Sequence, residues 1–350
     1  KLKNENIAFT GAFALALLPM FTGLSVFLRM DMLMTMFITI ALYIFFGFYY
    51  SWIEINRKWL TLFYLFLFMG LFTKGIAGIA LPLLIPIVFL VFEVKLDFLK
   101  KIKLHLGLLF IVVLVLLWFV MIYISPNGKE YIMLMLGRET VGRIVSSKTH
   151  VKPFYYYLKV LPTMMFPYTI AIIWALVTSF KNIKKWKEWE PITKIGFIWT
   201  VVPVLMFSAA SGKLAVYLLP VFPGAILLIH SLLFNEKIKY REGILKICEI
   251  LPVIPYLIGL IERKKRDFHS RINRINYSLV IIFCIALGGL HYFNNNYTVE
   301  PFLKLLRAHK VSMYNFSDGA NLIYFTSYPI KLYGGSNEVA ESSPKYLMTK

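Results

Sequence analysis

The sequence predicts an all-α polytopic membrane protein with about nine transmembrane helices, one re-entrant or interfacial segment and a small α/β C-terminal tail. Three observations lead there. Hydrophobic residues make up 59% of the 350 and charged residues only 16%, outside the usual composition of a water-soluble domain. Apolar runs of roughly 17 to 22 residues recur along the chain, each long enough to cross about 30 Å of hydrocarbon as a helix. The lysines and arginines behind the net charge of +20 sit in short loops between those runs and form no single basic face. That pattern fits orientation in a bilayer and excludes nucleic acid as the expected partner.

In chain order, spans are expected at Ile7 to Leu28, Met32 to Tyr50, Trp59 to Thr73, Gly75 to Phe92, Leu104 to Ile124 and Leu158 to Phe180. Three more follow at Ile195 to Ala210, Leu214 to Phe234 and Tyr277 to Tyr292. The run from Ile244 to Ile261 is also apolar, but Pro252 and Pro255 interrupt it. If it crossed, Arg263, Lys264, Lys265, Arg266, Arg271 and Arg274 would lie outside, against the positive-inside rule. It is therefore read as the re-entrant or interfacial segment.

Topology follows from two lysine-rich loops. Lys95, Lys100, Lys101 and Lys103 lie between Glu93 and His105, and five lysines lie between Lys181 and Lys194, so both loops are expected in the cytoplasm. Alternation then puts Lys1, Lys3, Arg57, Lys58, Lys237, Lys239 and Arg241 inside. It puts Arg29, Asp31, Lys74, the segment Ser125 to Tyr157, and Ser211 to Lys213 outside. The expected domains are a transmembrane domain over 1–292, with an extracytoplasmic amphipathic segment at 125–157, and an incomplete extracytoplasmic domain over 293–350. In the latter, Asn321 to Tyr328 alternates as a strand does. The first residue is Lys1, and no signal-peptide pattern precedes the first span, so the chain is expected to begin inside a longer protein. Cys248 and Cys284 lie in apolar segments without CxxC or metal-ligand spacing, and read as core packing.

The chemistry is expected where ionisable residues adjoin span ends in very short turns, nearly all on the extracytoplasmic side. Arg29 and Asp31 flank Met30; Asp31 is the candidate catalytic residue, able to orient a substrate or a metal ion, and the plainer reading is a marker of the water boundary. Lys74 stands between Thr73 and Gly75, with Gly78 on the same small-residue face, and its ammonium suits a phosphate; snorkelling to the interface is the alternative. The long external segment holds Arg138, Glu139, Arg143, Lys148, His150 and Lys152, followed by the aromatic run Phe154 to Tyr157. Met133, Leu136, Thr140 and Ile144 recur at near-helical spacing, as in an interfacial amphipathic helix whose basic residues reach anionic groups. His150 can serve as acid or base or donate to a phosphate, though a lone histidine is more often a structural hydrogen-bonder. Ser211, Gly212 and Lys213 form another external turn, and Tyr217, Pro220 and Pro223 follow; the prolines imply a broken helix lining a cavity.

Four stretches together resemble the GT-C membrane glycosyltransferases, specifically bacterial lipid A aminoarabinose transferases and related protein O-mannosyltransferases. They are Leu28 to Asp31; Leu71 to Gly75 continuing to Gly78 and Pro82; Gly142-Arg143 with His150 and Lys152 to Tyr157; and Ser211 to Pro220 with Pro223. The set spans roughly residues 10 to 230. The tail after Asn294 is more loosely similar to the external domain that closes these enzymes. The resemblance implies transfer of a sugar, 4-amino-4-deoxy-L-arabinose or a related one, from undecaprenyl phosphate to lipid A or another envelope glycolipid. The setting would be the outer face of the bacterial inner membrane, with inversion at the sugar carbon.

On the same basis Asp31 matches a family acidic position, Lys74 and Arg143 match phosphate-side positions, and Arg138 and His150 join them as donor-phosphate ligands. Arg29, Lys213, Tyr217 and Tyr155 would wall the substrate cavity. The family's principal catalytic carboxylate lies in a first external loop, upstream of where this chain starts. No cofactor is assigned beyond a divalent metal ion, which the resemblance leaves open. The partners implied are the lipid-linked donor, a lipid A or protein acceptor and membrane lipids. A protein O-mannosyltransferase would share the architecture. A lipid or sugar transporter would need internal repeats and ionisable residues near the bilayer midplane, and the sequence shows neither.

Overall fold

The computed structural model describes residues 5–26, 29–134, 151–210, 212–252 and 268–297, with short strands at 312–314, 332–333 and 347–348. The chain forms two compact units, Lys1–Leu279 and Val280–Lys350.

The first unit is helical. Helices α1 (Glu5–Leu17) and α2 (Pro19–Val26) are bent by 65° where Pro19 follows Leu18. Then come α3 (Met30–Tyr49), α4 (Arg57–Lys74), α5 (Ile76–Glu93), the short α6 (Phe98–Lys101), α7 (Leu104–Tyr123) and α8 (Gly128–Leu134). Next are α9 (Tyr156–Met164), α10 (Thr169–Lys181), α11 (Pro191–Ala209), α12 (Phe222–Leu233) and α13 (Arg241–Ile250); α14 (Phe268–Tyr297) begins in this unit. Tight 3-10 turns at Ile183–Glu188 and Ala215–Val221 precede α11 and α12. Among the described residues six helical stretches are long and apolar enough to cross a membrane, or seven when the bent α1–α2 pair counts as one span.

Two expected spans take a different form. Helix α4 covers the expected Trp59 to Thr73 span but carries Arg57, Lys58 and Lys74 within its 18 residues, so its ends are more charged than those of its neighbours. The expected Leu158 to Phe180 span is divided into α9 and α10, with Pro167, which has no amide donor, in the break between Met164 and Thr169; Pro162 is accommodated inside α9. Where a re-entrant segment was expected, the structure has α13, which stops just before Pro252; residues 253–267 lie outside the described set.

Helix α7 shows what the solvent is. It is apolar all round, yet among its residues only Gly107 and Ile111 are buried, while Leu116, Leu117, Val120 and Met121 are exposed. Such a surface is stable against lipid and costly against water. The protein core lies instead among α3, α4, α5, α11 and α12, where Phe46 meets Phe89 edge-on at 5.1 Å and Phe45 meets Phe63 at 6.5 Å.

At the Tyr49 end of α3, Glu93 accepts from the Tyr49 hydroxyl (3.0 Å), the Trp186 indole (2.8 Å) and the Lys194 ammonium (2.9 Å). These bonds bring both lysine-rich loops to one end of the bundle. Asp31 lies 18 residues away along α3, about 27 Å at 1.5 Å per residue.

In the second unit the described strands β1 (Ser312–Tyr314), β2 (Leu332–Tyr333) and β3 (Leu347–Met348) pair in parallel in the order β2-β1-β3, with Met313 opposite Leu332 and Met348. The expected alternating stretch at 321–328 lies outside the described residues.

Candidate functional site

The end of the bundle opposite Glu93 gathers a compact ionic cluster. Asp31 lies in the first turn of α3, where the helix dipole favours a carboxylate, and its backbone carbonyl accepts the Thr35 hydroxyl at 2.8 Å. The carboxylate pairs with the Lys74 ammonium, and Arg29 Nε stands 3.8 Å from its second oxygen. Lys74 also lies over the Tyr217 ring, 4.4 Å from the centroid, in cation-π geometry. The side chains grade outward: Asp31 is 7% exposed, Lys74 22% and Arg29 47%.

Lys74 owes its position to a turn with no spare residue. Helix α4 ends at Lys74, Gly75 takes φ +64°, and α5 starts at Ile76. Only glycine adopts that backbone without strain. The two helices then leave in near contact: a Cβ on Gly70 would stand 2.5 Å from the carbonyl oxygen of Gly78. The Gly70–Gly78 crossing thus sets the height and direction of the lysine between them.

A second layer joins segments 60 residues apart in sequence. Val151 and Gly212 form an antiparallel bridge. Lys213, 3% exposed, donates to the carbonyls of Lys152 (3.0 Å) and Ala210. The Tyr157 hydroxyl donates to the Leu214 carbonyl at 3.2 Å. Phe207 links the layers, with its ring 6.3 Å from Tyr157 and 6.0 Å from Tyr217. Among the described residues no three His, Cys, Asp or Glu side chains come together as metal ligands.

Several known proteins are similar to this chain in sequence or in fold. It is 29% identical over 259 residues to the undecaprenyl phosphate-alpha-4-amino-4-deoxy-L-arabinose arabinosyl transferase of Pectobacterium carotovorum subsp. carotovorum (strain PC1), covering 70% of this chain and 43% of that protein. It is 26% identical over 239 residues to an uncharacterized protein of Aquifex aeolicus (strain VF5), covering 67% of this chain and 44% of that one. The crystal structure of ArnT from Cupriavidus metallidurans bound to undecaprenyl phosphate superposes with a TM-score of 0.75 over 97% of this chain and 68% of that one, at 18% identity. This chain is similar in sequence to arabinosyl transferases and has the fold of the ArnT structure. It spans less than half the length of those two curated relatives. No protein-family profile matches it.

Within this arabinosyl-transferase fold the sequence candidates separate into three groups. Asp31, Lys74, Arg29 and Tyr217 meet in one cluster. Lys213 stands in the second layer with its ammonium committed to backbone carbonyls, and Tyr155 stacks edge-on with Phe154 and under the Lys159 ammonium. Arg138, Arg143 and His150 lie outside the described residues. Sequence reasoning did not single out Gly70, Phe207 or the Tyr157 hydroxyl. Gly70 carried a readable signal, since it and Gly78 flank Lys74 symmetrically; Phe207 carried none.

Proposed function

We propose that this chain forms part of the catalytic cavity of a polyprenyl-phosphate-dependent glycosyltransferase, with 4-amino-4-deoxy-L-arabinose on undecaprenyl phosphate as donor. The acceptor in this reading is lipid A or another envelope glycolipid, and the site faces the outer side of the inner membrane, as the positive-inside pattern supports. The observation that carries it is the Asp31–Lys74–Tyr217 cluster with Arg29 at its mouth, in a chain related to arabinosyl transferases.

In such a transfer the acceptor oxygen attacks the anomeric carbon and the bond from that carbon to the carrier's phosphate oxygen breaks. The electron pair leaves with the phosphate, and the acceptor proton passes to a base. Lys74 and Arg29 suit the departing phosphate, since cations preset at the site of growing charge need no reorganisation. Asp31 is bound by both of them, and its part is to aim Lys74. Arg138, Arg143 and His150 remain proposed donor ligands, and Lys213 and Tyr155 proposed parts of the cavity wall.

The test is transfer from a radiolabelled undecaprenyl-phosphate donor in membranes containing the protein or its Asp31→Asn, Lys74→Met and Arg29→Gln variants. Label should enter lipid A, and Lys74→Met should lower it roughly 100-fold or more at equal expression. Label entering protein instead would assign the acceptor of a protein O-mannosyltransferase. Donor lipid moving across the bilayer without transfer would overturn the enzyme reading.

A further inference from the structure

A cavity of mixed lining in the first unit lies at the other end of the bundle, away from Asp31 and Lys74. It measures about 680 Å³ and is bounded by the end of α10, the Ile183–Glu188 turn, the start of α11 and the loop after α12. Trp174 and Leu232 form an apolar floor beside Val177, which is 46% exposed, and the lining also holds Lys181 at the end of α10, Lys185 in the turn that follows, and Lys237 and Lys239 from the loop after α12. Trp174 and Lys181 are seven residues apart on one helix, so Trp174 lies roughly 10 Å along it from Lys181.

Ser179 is among the lining residues and is 2% exposed, with no hydrogen-bond partner for its hydroxyl among the described residues. The acidic lining does not cancel the lysines. Glu190 is held by the Asn235 amide at 3.3 Å, and with Glu188 it leaves two cations in excess. Tyr240, 79% exposed and held at φ +66°, and Trp189 add the aromatic groups favoured at the lipid–water boundary.

We propose that this cavity binds an anionic phospholipid of the leaflet opposite the Asp31–Lys74 site, with its phosphate among the four lysines and the start of one acyl chain on Trp174 and Val177. A free phosphate would use the lysines alone; the apolar floor favours a lipid.

Quenching of tryptophan by brominated phosphatidylglycerol tests the proposal on the full chain in phosphatidylcholine vesicles, since Trp174 and Trp189 line the cavity. Quenching should saturate at a low mole fraction, and Trp174→Phe should remove most of the saturable part. Lys185→Gln with Lys239→Gln should raise the half-saturating fraction roughly 25-fold, about fivefold per lysine. The control Lys100→Gln/Lys101→Gln/Lys103→Gln removes charge from the same end outside the cavity and should shift it less than twofold. Should the lysine variant not fold, Val177→Phe fills the floor without touching a charge and should abolish saturation. Equal quenching by brominated phosphatidylcholine, an equal shift in the control, or reversal by inorganic phosphate would each overturn the lipid assignment.

Discussion

Replacing Gly70 by alanine puts the positioning of Lys74 to direct test. The new Cβ would lie 2.5 Å from the Gly78 carbonyl oxygen and 3.2 Å from its carbon. An unstrained carbon–oxygen contact is about 3.3 Å or more, so α4 and α5 must separate by about 0.8 Å at a point four residues from Lys74. The obstacle is backbone and cannot rotate away, so the crossing itself must open. Overpacking of this kind costs about 1 to 3 kcal/mol. A catalytic group displaced by about 1 Å loses up to roughly 100-fold in rate. We therefore expect Gly70→Ala to lower the thermal midpoint in detergent by several degrees and sugar transfer by roughly 10- to 100-fold, with Gly78→Ala at least as severe. Gly243→Ala is the control: nothing lies within 4 Å of its would-be Cβ, and removing glycine from the interior of α13 should stabilise by about 0.5 to 1 kcal/mol without changing transfer. Transfer within twofold of the parent in Gly70→Ala, at an unchanged midpoint, would refute the claim that this crossing sets the lysine.

The remaining predictions concern charges. A double-mutant cycle of Asp31→Asn and Lys74→Met should give a coupling of about 1 to 2 kcal/mol in thermal stability, between the small values of exposed pairs and the 3 to 5 of buried ones; additive single effects would mean the pair is incidental. Lys213→Met leaves the Lys152 and Ala210 carbonyls without their buried donor. It should cost about 1 to 3 kcal/mol and open the 151–157 segment to limited proteolysis, and an unchanged cleavage pattern would argue against its role as an anchor. Glu93→Leu strands the Lys194 ammonium at the far end and should cost about 3 to 5 kcal/mol, yet leave the KM for donor unchanged in whatever fraction stays folded. A shifted KM would show that the two ends are coupled.

The helical class and the position of the ionic residues were legible because both are local facts: apolar runs of bilayer length, with Asp31, Lys74 and Lys213 placed abruptly at their ends. Their partners were not legible. Asp31 and Lys74 are 43 residues apart, and Tyr217 is 143 beyond Lys74, so only packing brings the three together. The α9–α10 break was missed: hydropathy alone reads the run as one span, and Pro167, which lies in the break, was the readable sign. Lys213 shows the limit most plainly. A lysine in a Ser-Gly-Lys turn looks like a cation offered to a ligand, and nothing local reveals that two carbonyls, one of them 61 residues away, already take its protons.

That contrast also bears on the chemistry. An ammonium has three donors; Lys213 commits two to backbone and is shut from solvent, whereas Lys74 gives one to Asp31 and stays partly open. Lys74, Arg29 and Asp31 together carry two positive charges and one negative, a net of one. On the proposed reading the donor, a sugar on polyprenyl phosphate, is a phosphodiester with one negative charge, which that excess would balance. When the sugar leaves, the carrier becomes a monoester of about −1.5 to −2 at neutral pH. The attraction therefore grows as the glycosidic bond breaks, and only binding that strengthens toward the transition state accelerates a reaction. On the proposed reading, Asp31 keeps the resting site from gripping the donor too firmly, and replacing it with asparagine should tighten donor binding while lowering kcat.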